Sequence, residues 1–122
     1  MQLETIAHDF SICKVTDYSQ VDVEQPYCFL GATDEERSLV CPTERVPRNT
    51  TERDDGWRAF RLHGTLDFSL VGILSKISAL LAESGIGIFA ISTFNTDYIL
   101  TKRDNFDRAL GVLADAGYEV PA

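Results

Sequence analysis

Gly85 and Gly117 each close a run of apolar residues at helical spacing and hand the chain to a short extended segment. This repeated punctuation confines the C-terminal half to very few folds. Val71, Leu74, Ile77, Leu80 and Leu81 recur at the spacing that lays one stripe of a helix against a core. Ser69 stands ahead of them as the predicted N-cap, because its hydroxyl can accept from an otherwise unpaired N–H. Gly85 ends the run in the left-handed conformation that glycine adopts readily. Asp104 is the predicted cap of a second helix, with Phe106, Ala109, Leu110 and Leu113 as its stripe and Gly117 as its stop.

Between and around these helices the period changes to that of strands. Residues 57–63 place Phe60 and Leu62 on one side and Arg61 and His63 on the other, and Gly64 and Asp67 break the run. Residues 86–91 are nearly all apolar, which predicts a covered strand, central in its sheet. Residues 95–97 predict a turn, 98–101 a returning strand, and 118–120 a closing strand before Pro121. The order is β-α-β-β-α-β, the split arrangement of ferredoxin-like α+β folds, with antiparallel sheets and helices on one face.

The N-terminal half reads as an abbreviated copy of the same plan. Strands are predicted at 10–15, 27–31 and 38–41, with a looped or short helical crossover at 17–24 and a polar turn at 33–37. Residues 48–56 predict a loop or a short helix. The chain therefore divides into a unit at 1–56 and a fuller one at 57–122. At 122 residues neither half alone buries a generous core, so the two are expected to pack as one.

Composition excludes several functions. A net charge of −8, with eleven scattered Lys and Arg, lacks the cationic face that nucleic acid or an anionic membrane requires. No apolar run is long enough for a membrane span and the start carries no signal region, so a cytoplasmic location is expected. Cys13, Cys28 and Cys41 have no CxxC spacing and read as small buried hydrophobes, and with His8 and His63 they supply no metal pattern. Phosphate-loop and HExxH motifs are absent, and no histidine adjoins a nucleophile, so no catalytic residues and no cofactor are assigned.

A binding site is the better prospect. Leu70, Val71 and Gly72 lie where the first helix begins, and a helix N-terminus presents unpaired N–H groups and about half a positive charge to a carboxylate. Gly72 would let a ligand approach the backbone, or would merely ease packing. Asp97 follows Thr93, Phe94 and Thr96 in the polar turn. It would take an ammonium group, or bond its own backbone as turn aspartates often do. The two threonines would add polar contacts or serve local geometry; Phe94 reads more simply as core.

Residues 38–42, 56–58, 64–74, 81–86 and 91–100 together resemble those of tandem ACT-domain proteins. The similarity is to small bacterial members related to animal arginine-sensor proteins and to the regulatory part of aspartate kinases. The resemblance implies two ACT-like units, pairing between such units in a homodimer, and an amino acid held where units meet. It also implies a regulatory role, with a metabolic enzyme as a possible partner, or a purely structural dimeriser with an empty site. It implies no activity of its own.

Overall fold

The computed structural model describes residues 1–63 and 72–120. Strand β1 (Leu3–Val15) is followed by β2 (Phe29–Ala32), β3 (Arg37–Pro42), a 3-10 helix at Thr43–Arg45, and β4 (Thr50–Leu62). Helix α1 (Ile73–Glu83), β5 (Phe89–Ser92), β6 (Asp97–Lys102) and α2 (Arg103–Asp115) complete the order. The strands form one antiparallel sheet in the order β2-β3-β1-β4-β6-β5. Two compact units emerge, residues 8–57 and residues 1–7 with 58–122, so β1 and β4 each give one part to either unit.

The second unit carries both helices. Leu3, Phe60, Leu62, Ile77, Leu81, Ile99 and Leu113 are its fully buried centre, with Phe106 and Ala109 from the inner face of α2. Both helices end alike. Gly85 N–H donates to Ala82 O and Ile86 N–H to Leu81 O; Gly117 N–H donates to Ala114 O and Tyr118 N–H to Leu113 O. These are Schellman pairs, with the glycines at φ 72° and 101° as that motif requires. Ile86 and Leu81 share the core, supplying the apolar contact that accompanies the motif. Both predicted stops hold for this reason.

The unit at 8–57 has no α-helix. One cluster of its core is Cys13, Val15, Leu39 and Cys41, against which Tyr18, Val21, Cys28 and Val46 pack. The segment after β1 forms turns where the other unit has α1. Asn49 fastens its start, donating through Nδ2 to Asp17 O at 3.0 Å, and Tyr18 donates its hydroxyl to Ser38 O at 2.8 Å.

The hairpins of the two units correspond position by position. Phe29 faces Val40 and Ala32 faces Arg37; sixty residues on, Phe89 faces Leu100 and Ser92 faces Asp97. Thr33 N–H donates to Glu36 O at 2.9 Å, and Thr93 N–H donates to Thr96 O at the same distance. Each threonine hydroxyl then brackets its turn, Thr33 receiving Glu36 N–H at 3.1 Å and Thr93 receiving Thr96 N–H at 3.4 Å. The 3-10 helix and α2 begin at Thr43 and Arg103, again sixty apart.

Several expectations give way. Residues 50–56 are strand, not loop or short helix: β4 is 13 residues long, and its polar half is held by ladder bonds to an equally long β1. The apolar run 86–91 is not a central strand. Only Phe89–Ser92 is extended, at the sheet edge, while Ile86 is buried as the anchor of the α1 stop. Helix α2 starts at Arg103, so Asp104 lies inside the first turn, where its charge favours the helix dipole without a capping bond. The closing strand shrinks to one parallel bridge between Glu119 and Gln2. Phe94, expected in the core, is 79% exposed at the hairpin tip.

Candidate functional site

The first turn of α1 opens into a cleft of about 570 Å³ within the helical unit. Gly72 occupies the N-cap position at φ 82°, a left-handed conformation that favours glycine, and no side chain caps the helix. Lys76 N–H donates to Gly72 O at 2.8 Å as the first helical bond. By helix geometry the N–H groups of Ile73, Leu74 and Ser75 precede that ladder. The first turn holds no acidic residue, and Lys76 lines the same cleft, so this side is donor-rich and positive. Across it stand Ala116, Gly117 and Tyr118, at the carbonyl end of α2. Ile73 and Leu80 supply apolar lining. Opposite helix ends thus border one cavity, an arrangement complementary to a molecule with both an anionic and a cationic group.

Of the residues expected at the site, Gly72 lines this cleft, while Leu70 and Val71 lie outside the described residues; the cap of α1 is Gly72 and not Ser69, which also lies outside them. Thr93, Phe94, Thr96 and Asp97 belong to the β5–β6 hairpin and do not line it. The hairpin turn sits at the end of β4, because Thr96, only 6% exposed, donates its hydroxyl to Leu62 O at 3.1 Å. That bond turns Thr96 inward. The Thr93 hydroxyl donates to Thr96 O at 3.0 Å, and Asp97 Oδ1 accepts from Ser92 at 2.6 Å. Asp97 remains half-buried.

Sequence reasoning missed Lys76, Tyr118 and the end of α2 as cleft residues. Lys76 was legible, since a cation one turn into a predicted helix lies beside its N-terminus. The α2 contribution was not, because it depends on how two helices pack. His63 Nδ1 lies 3.3 Å from Glu4 Oε1 and is well exposed. No group of three or more His, Cys, Asp or Glu suited to a metal occurs among the described residues. No described helix is long and apolar enough to cross a membrane.

An ACT domain profile matches residues 52–115. No curated protein matches the chain. Among solved structures, a protein from Agobacterium tumefaciens is similar over 98% of this chain and 91% of its own, at 27% identity and a TM-score of 0.86. A Vibrio cholerae protein of unknown function, described as a possible transport protein, is similar over 91% and 85%, at 22% identity and a TM-score of 0.76. The ligand-free regulatory subunit of aspartate kinase from Thermus thermophilus covers 94% and 96%, at 8% identity and a TM-score of 0.65, and so shares the fold. With the profile running from β4 through α2 over just more than half of its length, the chain belongs to the ACT domain family.

Proposed function

We propose that this chain is a non-catalytic regulatory or sensor protein built from two ACT-like units, which binds an amino acid at the cleft beside α1. The matching hairpins support the reading of two units. The cleft carries the binding reading: an uncapped helix start with Lys76 faces the carbonyl end of α2 across a space roomy enough for an amino acid. The ligand's carboxylate meets the N–H groups near Gly72, with Leu70 and Val71 assigned to the same approach. Thr93, Phe94 and Asp97 line no part of the cleft in their own chain, so they would act across a contact with a second copy. In that homodimer Asp97 takes the ammonium group, and binding shifts the dimer toward one arrangement by its differential affinity.

The test is thermal unfolding against the twenty amino acids. A ligand at a hundred times its dissociation constant adds about 2.7 kcal/mol, a rise of several degrees for a chain of this size. Lys76→Glu should remove the part of the shift that comes from this cleft, and Asp97→Ala should reduce it. A flat panel would overturn ligand binding at this cleft and favour the purely structural dimer.

A further inference from the structure

The unit without helices has a cleft of its own, about 420 Å³, and nothing assigned so far uses it. Its floor is Leu39 and Cys41, which are 1% and 3% exposed. The residues sixty positions on, Ile99 and Thr101, are fully buried in the unit that carries α1 and α2. Here the cover is only the turns of residues 16–28 and the 3-10 helix, and a hollow remains.

Its rim is charged with both signs. Asp22 and Arg45 line the cleft together, and among the described residues neither forms an ion pair. The Asp22 carboxylate accepts from Glu24 N–H at 3.1 Å and from Gln25 Nε2 at 3.3 Å, neutral donors that leave its charge uncompensated. Arg45 donates one N–H to Pro26 O at 2.9 Å and keeps the rest of its fork open. Both charges reach the half-buried Cys28 thiol, in opposite senses: burial and Asp22 push its pKa up while Arg45 draws it down.

We propose that this cleft is a second binding site, taking the zwitterion of an α-amino acid with a small uncharged side chain. Arg45 receives the carboxylate, Asp22 the ammonium group, and the side chain rests on Leu39 and the thiols of Cys28 and Cys41. Opposite charges held apart on one rim fit a ligand whose own charges are a few ångströms apart. The site stands independently of the cleft beside α1.

The Cys28 thiol reports on it directly. Alkylation of Cys28 by iodoacetamide would be followed in the intact protein by peptide mapping, with glycine, alanine, serine, valine and leucine as probes. At about ten times its dissociation constant a bound probe should slow the reaction about tenfold. Methylamine and acetate, each offering one charge, should protect far less. Arg45→Gln and Asp22→Asn, both surface substitutions, should each remove the protection while the thermal midpoint stays near wild type. Overturning results are no slowing by any probe, or slowing that survives both substitutions. A thermal shift without Cys28 protection would also overturn this site while leaving the α1 cleft standing.

Discussion

The two units fold the same hairpin under different roofs. In one, α1 and α2 lay Ile77, Leu81, Phe106 and Leu113 over the sheet and seal Ile99 completely. In the other, turns and one short 3-10 helix cover Leu39, the matching position, and a cleft opens above it. A β-hairpin of this kind is specified by its own register and turn, with Thr33 and Thr93 bracketing four-residue loops by the same hydrogen bonds. What covers the sheet is then free to vary. The variation decides where a cleft is left.

Matched substitutions test the comparison most sharply. Ile99→Ala should cost about 3–5 kcal/mol in urea unfolding, because a rigid helical roof cannot collapse into the hole. Leu39→Ala should cost nearer 2 kcal/mol, the low end for a buried aliphatic, since the turns above it can settle. Equal losses would mean that the turn segment packs as tightly as the helices, and the contrast would fail.

The next effect belongs to the helical unit alone. Gly85→Ala puts a Cβ at φ 72°, where it meets no neighbour within 4 Å, so the loss is the conformational one, about 1 kcal/mol. A midpoint unchanged from wild type would show that the α1 stop contributes little to holding Ile86 in the core.

The smallest effect probes the turns that replace a helix. The Ser19 hydroxyl and amide, helped by Asn49, hold the Asp17 carboxyl below its ordinary pKa. A depressed carboxylate contributes stability above its unfolded pKa and loses it as pH falls through the folded value. Asp17→Asn should therefore be slightly destabilising at neutral pH, and the difference should close below the ordinary carboxylate range. A gap that persisted in strong acid would show that shape, and not charge, holds this segment.

Legibility followed the range of the interactions. The helix stripes and both glycine stops were readable because capping is local: three or four residues define a Schellman pair. The β5–β6 hairpin was readable for the same reason, although its turn is residues 93–96 and Asp97 already belongs to β6. The polar half of β4 misled, since residues 51–55 are exposed and carry little strand pattern. Their extended form comes from pairing with β1, a partner more than thirty residues away, and the Thr51 hydroxyl adds a bond to Lys14 O. The run 86–91 misled in the opposite sense, its apolar character serving a helix cap as much as a strand.

The sequence by itself determined the order of helices and hairpin in the helical unit and the glycines that stop its two helices. Those depend on period, capping and turn chemistry, all within a few residues. Tertiary structure alone decided that β1 and β4 each give one part to either unit and that Glu119 pairs with Gln2. It also decided that α2 ends beside the start of α1, and that Asp22 and Arg45 share one rim. Each brings together groups far apart in the chain, and no local preference encodes such a meeting.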